Sequence, residues 1–295
     1  MASNIGWELY RSFLSVLKEG SLSGAARALG ITQPTVGRHI AALEQALGVA
    51  LFTRSQVGLN PTEAALGLRT YAETMESTAA SLERAATAHG EGVRGAVRVS
   101  ASEVVGVEVL PPIIGQLRRD HPELKVELVL SNRIQDLLRR EADIAVRMMR
   151  PGQEQLVARR VGGIEVGLHA RNDYLARQGT PRRASELAGH SLIGYDQPSA
   201  FVRAASRSLQ GFNRQAFSIC TDSDLAQLAL IRSGAGIGFC QAALAERDDS
   251  LTRVLPAEFS LQLDTWVTMH EDLRTSPRCR VTFDALFEGL ERYIR

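Results

Sequence analysis

Val36, Ile40, Leu43 and Leu47 recur at spacings of four, three and four, which predicts one buried face of a helix stopping at Gly48. A shorter helix precedes it. Ala25, Ala26 and Leu29 share a face, Gly30 sits where a helix would end, and Ser23 is the expected N-cap. Thr32 can cap the second helix, and Pro34 is tolerated in its first turn, where amide protons have no partner inside the helix. Upstream, Leu9, Phe13, Val16 and Leu17 predict a helix over residues 5–19 that props this pair. The outer face of the second helix begins with Gln33, Thr35, Arg38 and His39. Hydrogen-bonding side chains on the first two turns of a second helix are what a helix-turn-helix needs to read base edges in a major groove. The alternative is a solvated face in an all-α domain. Ser21 and Ser23 can face a phosphate at a helix N-terminus.

After this pair, Leu51 to Arg54 and Leu59 bracket the turn Ser55-Gln56-Val57-Gly58, a small β-wing. Asn60-Pro61-Thr62-Glu63 predicts a helix start, with Asn60 capping, proline first and glutamate third. The helix should run to about His89. Along it Leu68, Ala72, Met75, Ala79, Leu82 and Ala86 alternate spacings of four and three, the 3.5-residue repeat of a coiled-coil seam. Half of these are alanine, so two such helices could approach closely. The alternative is an amphipathic helix packed on its own domain. Two-fold symmetry is what lets a helix-turn-helix protein read two half-sites, which favours dimerisation.

The run AARALGITQPTVGRHIAALEQALGVALFTR closely resembles the winged helix-turn-helix of the LysR-type transcriptional regulators. AAR.L, TQPTV.RHI, LE..LG and LF.R appear in order and at that family's spacing, over roughly the first sixty residues. There are two departures. Gly37 stands where a serine is common, which removes one phosphate contact, and Asn60 and Glu63 replace the threonine and glycine of the usual wing ending. The resemblance implies DNA contacts from Ser21, Ser23, Thr32, Gln33, Pro34, Thr35, Arg38 and His39. It also implies a wing near the minor groove with Arg54 against backbone phosphate, and a linker helix that forms the dimer contact. For Arg54 the alternative is a solvated surface charge.

Beyond the glycine-rich stretch at residues 90–95 the texture changes. AVRVSA, KVELVL, DIAVR, EVGLHA, SLIGY, AFSICT and GIGFC read as strands. Residues 105–120, starting irregularly around Pro111 and Pro112, then IQDLLRREA, DSDLAQLALIRSG and PRCRVTFDALFEGLERYI read as helices. This alternation predicts an α/β fold with mostly parallel sheets. The expected organisation is a winged helix-turn-helix over 1–60, a linker (dimerisation) helix over 61–89 and an effector-binding domain over 90–295. The last would have two lobes, about 93–163 with 266–295, and about 164–265. The resemblance points to the bilobed, periplasmic-binding-protein-like effector domain of the same family.

In open α/β sheets a ligand lies beyond the C-terminal strand ends, against helix N-termini. That rule selects Ser100, Ser102, Ser131, Asn132, Arg147, Gln197, Pro198, Phe201, Thr221 and Asp222. By resemblance, Ser102, Asn132, Phe201 and Thr221 match positions where relatives contact effectors. Helix N-terminal charge, hydroxyl groups and Arg147 together favour a small anion such as a carboxylate. The alternatives are helix caps and turns, and for Arg147 an ion pair with Glu141 or Asp143. Gly234-Ala235-Gly236-Ile237-Gly238 follows a helix and enters a strand, the reverse of a dinucleotide fingerprint. No G-x-S-x-G elbow, HExxH or paired metal-ligand spacing occurs, so nothing specific supports an enzyme, a cofactor or a metal.

Composition changes this picture in three places. A chain of 295 residues suggests two or three domains. Net charge is only +1, and residues 1–60 carry Arg11, Lys18, Arg27, Arg38 and Arg54 against Glu8, Glu19 and Glu44. That local excess of two predicts affinity that relies on dimerisation, with a moderate salt dependence. The three cysteines, Cys220, Cys240 and Cys279, have no CxxC spacing and read as small buried hydrophobes, with a redox pair of Cys220 and Cys240 as the alternative. With no signal segment and no apolar run near the ~18 residues a membrane span needs, the expected location is the cytoplasm. The reading is a non-enzymatic regulator that binds promoter DNA and a small-molecule effector. It would act as a homodimer or dimer of dimers (a homotetramer), with RNA polymerase as a further partner. A solute-binding protein explains residues 93–295 but leaves 1–90 unexplained.

Overall fold

The computed structural model describes residues 5–55, 58–86, 92–132, 142–151, 156–196 and 214–295. They fall into two compact units that meet in sequence between Ala86 and Thr87. In the first, α1 (Trp7–Glu19), α2 (Leu22–Leu29) and α3 (Gln33–Leu47) precede an antiparallel ribbon of β1 (Phe52–Ser55) and β2 (Gly58–Pro61), then α4 (Glu63–Ala86). Phe13 and Leu14 of α1, Val36 and Leu43 of α3, and Leu51 form one buried cluster. Each such side chain contributes roughly 1.5–3 kcal/mol by leaving water. Leu14 escaped the sequence pattern, which counted Leu9 and Leu17 instead; both are half-buried at the edge of the cluster.

The ribbon is fixed to the helices by backbone. Leu59 N–H donates to the Gly20 carbonyl at 3.0 Å. At Gly58, with φ +135°, a Cβ would stand 2.8 Å from that same oxygen, so only glycine fits without a shift. Two expected caps each move by two residues. Ser21, not Ser23, caps α2, its Oγ accepting from Gly24 N–H at 3.0 Å. Asn60 and Pro61 stay in β2, paired with Thr53 and Phe52, so the start of α4 passes to Thr62. Thr62 Oγ1 accepts from Ala65 N–H at 3.2 Å and donates to the Ala50 carbonyl at 2.8 Å.

The seam on α4 also divides. Leu68 and Ala72 turn inward and pack with the helix-turn-helix core. Met75 and Leu82 are exposed, and with Tyr71 they make an apolar stripe at 71, 75 and 82, rotated from the expected one. The side chain of Ala86 is outside what the structure describes.

The second unit contains β3 (Gly95–Ala101), α5 (Leu110–Asp120), β4 (Leu124–Leu130), β5 (Ile144–Arg147), β6 (Leu156–Arg171) and α6 (Asn172–Gln178). Then come β7 (Ile193–Tyr195), β8 (Ile219–Thr221), α7 (Asp224–Arg232), β9 (Gly238–Gln241), a short α8 (Ala242–Ala245), β10 (Leu251–Val254), β11 (Ser260–His270) and α9 (Pro277–Ile294). A π-helical turn over Val105–Val109 enters α5, which accounts for its irregular start: Pro111 and Pro112 cannot donate back along the helix. IQDLLRREA lies outside the described residues except for Ala142.

The sheet is not mostly parallel. Its order is β10-β6-β11-β5-β3-β4, with β9 also on β6. Only β3–β4 and β3–β5 run parallel; the pairings of β6, β9, β10 and β11 are antiparallel. The reason is the pair of long strands β6 and β11: the EVGLHA strand is only the end of β6, and no strand is expected over β11. Their register shifts between Thr265 and Trp266, a bulge that bends the strand pair. The parallel β7–β8 pair stands apart. The core between sheet and helices gathers Val97, Val99, Ile144, Val146, Val267, Leu286 and Leu290.

Candidate functional site

The exposed face of α2 and α3 is tied together by side chains. Ser23 Oγ donates to Gln33 Oε1 at 3.2 Å, joining the first turn of α2 to the start of α3. The hydroxyls of Thr32 and Thr35 share a hydrogen bond at 2.8 Å, and Arg38 Nη2 donates to Thr35 Oγ1 at 3.4 Å. Ser23, Thr32, Gln33, Pro34 and Arg38 are exposed, and Ser21 and Thr35 half-buried. Thr32 occupies the N-cap position of α3 in extended conformation, but its hydroxyl serves Thr35, not the helix amides. His39 differs from its neighbours: its Nδ1 is bonded to buried Ser12 Oγ of α1 at 2.8 Å. Arg54 falls in β1, and its side chain lies outside the described part of the chain. Glu44 escaped the sequence reading as a functional residue. Its Oε1 accepts from Leu51 N–H at 2.7 Å and Phe52 N–H at 3.2 Å, so it hangs the wing from the recognition helix.

In the second unit, residues just beyond the C-terminal ends of β3, β4 and β8 are joined by side-chain hydrogen bonds. Ser102 follows β3, and its carbonyl accepts from Gly106 N–H at 2.8 Å. Asn132 follows β4; its Oδ1 accepts from Glu103 N–H at 3.2 Å and its Nδ2 donates to Asp224 Oδ2 at 3.0 Å. Thr221 ends β8, with its Oγ1 accepting from Ser223 N–H at 3.2 Å. Ser223 caps α7 through Ala226 N–H and donates to Glu103 Oε2 at 3.0 Å. The Tyr195 hydroxyl donates to Asp224 Oδ1. Asn132 and Thr221 are thus brought to one place, together with Glu103, Tyr195 and Asp224, which the strand-end rule had not selected. Asp222, which it had selected, faces solvent. The signal for Asp224 was present: with Ser223 as N-cap, Asp224 opens the helix and Gln227 lies one turn on along the same face.

Ser100 and Arg147 lie deeper. Both are buried; Arg147 Nη2 donates to Ser100 Oγ at 2.7 Å and Nη1 to the Val146 carbonyl at 2.9 Å. Asp143 Oδ2 accepts from Arg98 N–H at 2.8 Å. Ser131 N–H donates to the Ala101 carbonyl at 2.9 Å. Phe201, Gln197 and Pro198 lie outside the described residues, as does Glu141. A second polar link joins Glu108 of the π-turn to Arg232 at the end of α7, at 2.7 and 3.0 Å. The Arg232 hydrogen bonds hold the Glu108 carboxyl below its usual range. Burial raises the Asp224 carboxyl, and the nearby Glu103 charge adds to this, against the hydrogen bonds from Tyr195 and Asn132.

A groove of about 520 Å³ between α5 and α9, and another of about 380 Å³ beside Arg232 and Asp248, lie away from these strand ends. Cys220 is exposed, and Cys240 and Cys279 are buried. Burial pushes the Cys240 thiol up to about 12, which makes it a poor thiolate. Among the described residues no cluster of side chains could hold a metal, and no helix is long and apolar enough to cross a membrane.

Two family models match. Residues 7–66 match the bacterial regulatory helix-turn-helix protein of the lysR family, and residues 90–291 match the LysR substrate binding domain. The HTH-type transcriptional regulator CrgA of Neisseria meningitidis serogroup C is 28% identical over 285 residues, covering 94% of this chain and 95% of its own. The solved structure of CrgA, a LysR-type transcriptional regulator from Neisseria meningitidis, has a TM-score of 0.59 at 26% identity, over 96% of this chain and 98% of that one. Full-length CbnR complexed with its target DNA has a TM-score of 0.67 at 18% identity, over 98% and 99%, a likeness of fold.

Proposed function

This chain belongs to the LysR family of transcriptional regulators, and we propose that the linked side chains on α2 and α3 read its operator. It is a DNA-binding regulator of transcription with an effector-binding domain. The observation that carries the proposal is the exposed run Ser23–Gln33 and Thr32–Thr35–Arg38, pre-arranged by its own hydrogen bonds at the start of a recognition helix. Ser21, Ser23, Thr32 and Pro34 sit at the phosphate backbone, where helix N-terminal amides favour anions. Gln33, Thr35 and Arg38 reach base edges, with His39 holding α3 in place, and Arg54 of the wing meets phosphate.

Two copies pair through α4, supported by the exposed Tyr71, Met75 and Leu82, and a dimer of such dimers is the working assembly. The domains divide near residues 60 and 90. The chain passes between lobes near residues 163 and 265, a reading supported by the bend of the strand pair at Thr265–Trp266. A small-molecule effector binds at Ser102, Asn132 and Thr221, with Phe201 as a further contact by family resemblance and Ser100 and Arg147 supporting the floor. Arg147 leaves room for an anionic group on the ligand. Effector binding alters the lobes, then the angle between paired DNA-binding units, and so polymerase access at promoters in the cytoplasm. No catalysis is involved.

Gln33→Ala and Arg38→Ala test the base-reading assignment. Each should weaken operator binding by ~1–3 kcal/mol while leaving binding to random DNA near its original level. Equal losses on operator and random DNA would show that these residues touch only the backbone.

A further inference from the structure

The polar junction around Asp224 has a chemistry that the strand-end rule did not anticipate. Glu103 and Asp224 bring two carboxylates together, each held by neutral donors: Ser223 Oγ on Glu103, Tyr195 Oη and Asn132 Nδ2 on Asp224. The charge of Glu103 is felt at both Asp224 and Tyr195. Among the described residues no cationic side chain forms an ion pair with either carboxylate. Arg147 is engaged with Ser100 and the Val146 carbonyl, and Arg232 with Glu108. Like charges in a partly buried place oppose each other, and a bound cation relieves both.

A second observation comes from Gln227, one turn along α7 from Asp224. It is 3% exposed, and its Nε2 makes no hydrogen bond among the described residues. Its amide approaches the Tyr195 hydroxyl as a donor, short of a well-formed hydrogen bond. A buried amide donor without an acceptor is destabilising, and an oxygen on a ligand would offset that.

We propose that the junction of Glu103, Asn132, Tyr195, Asp224 and Gln227 is an effector subsite for a small amine, whose ammonium sits against the two carboxylates while an oxygen three bonds from the nitrogen accepts from Gln227 Nε2. This rests on the reading that an effector binds between the lobes, and it narrows the ligand class. The effector carries a protonated amine beside a hydroxyl or carbonyl. An acidic group is not what selects it.

The test uses the full chain and four two-carbon probes: 2-aminoethanol and glycinamide against glycolate and ethylene glycol, with methylamine as the amine lacking an acceptor. Fragments of this size can reach millimolar affinity, so saturation-transfer NMR at ~10 mM detects them. The expected result is binding of the two oxygen-bearing amines and not of glycolate or ethylene glycol. Asp224→Asn should weaken them about tenfold or more, and Gln227→Leu should weaken them while sparing methylamine. Should Asp224→Asn fail to fold, Glu103→Gln carries the same test. No binding by either amine, equal binding by glycolate, or amine binding unchanged in Asp224→Asn would overturn the inference. If glycolate binds and Ser102→Ala or Thr221→Val abolishes it, the interlobe effector site survives and only the amine class is lost. If binding ignores all of these variants, both fail.

Discussion

Ser12 and His39 share a 2.8 Å hydrogen bond that fastens α1 to the recognition helix from within. His39 lies on the side of α3 next to the operator-reading run, yet its Nδ1 points to a hydroxyl that is almost wholly buried. Ser12→Ala should therefore destabilise the N-terminal unit by about 1 kcal/mol and weaken operator binding severalfold, although Ser12 cannot reach DNA. Thermal unfolding and operator titration read the two effects. Normal operator affinity in Ser12→Ala, with loss in His39→Ala, would return His39 to the base readers.

Glu44 does for the wing what Ser12 does for the helix. Its Oε1 takes the backbone N–H groups of both Leu51 and Phe52, where the chain leaves α3 for β1. Glu44→Ala leaves two donors unmet and should cost about 1–3 kcal/mol. Glu44→Gln keeps an acceptor oxygen and should recover about half of that. Chemical denaturation of both variants decides, and a loss under 0.5 kcal/mol in Glu44→Ala would mean that water replaces the carboxylate.

What sequence could and could not supply follows from the range of the interactions. The 3.6-residue pattern around Val36, Ile40 and Leu43 depends on one helix, so it was legible, and all three side chains are buried. The caps at Ser21 and Thr62 depend on where the previous element ends, and each lies two residues from the position the local pattern predicts. The partition of α4 into an inward Ala72 and an outward Tyr71 depends on α1, which no local pattern contains. The antiparallel course of β6 and β11 is set by pairings about a hundred residues apart, such as Ile164 with Leu263. The same holds for the effector subsite. Thr221 and Asn132 follow from a strand-end rule, whereas the meeting of Glu103 with Ser223 needs the folded sheet.

Gly37 is open to improvement. A Cβ placed there meets nothing nearer than Leu22 Cδ1 at 3.7 Å, an ordinary contact. Gly37→Ser adds a hydroxyl at a half-buried position of the recognition helix, beside Leu22 of α2, and removes part of the backbone entropy cost of glycine, roughly 0.5 kcal/mol. Operator affinity should rise about two- to tenfold through a new phosphate contact. Gly37→Ala separates the two contributions: a matching rise in affinity there would assign the whole gain to helix stability.

Dimerisation through α4 makes a separate demand. Tyr71 is 71% and Leu82 69% exposed in the single chain, a large apolar area for a surface helix. Leu82→Glu should weaken self-association by at least tenfold, as read by sedimentation at micromolar concentration. It should also lower operator affinity, while the melting temperature of the N-terminal unit changes little because Leu82 lies outside its core. An unchanged dimer would move the interface off this stripe.

His169 sets an acid limit on the second unit. It is 2% exposed on β6, with its Nδ1–H donating to the Gly167 carbonyl at 2.9 Å. Burial lowers its pKa below the ordinary 6.5. The Gly167 hydrogen bond opposes this, the Arg253 charge adds to it, and the Glu165 charge opposes it weakly. In the unfolded chain His169 takes a proton as pH falls through about 6.5, while the folded chain keeps it neutral. The unfolded state then binds more protons, so stability is complete above pH ~6.5 and declines as pH drops from there toward the folded pKa. His169→Gln removes that proton uptake and should flatten the dependence of melting temperature on pH below about 6.5, even if the variant is less stable at neutral pH. A slope identical to that of the parent chain would place the titrating group elsewhere.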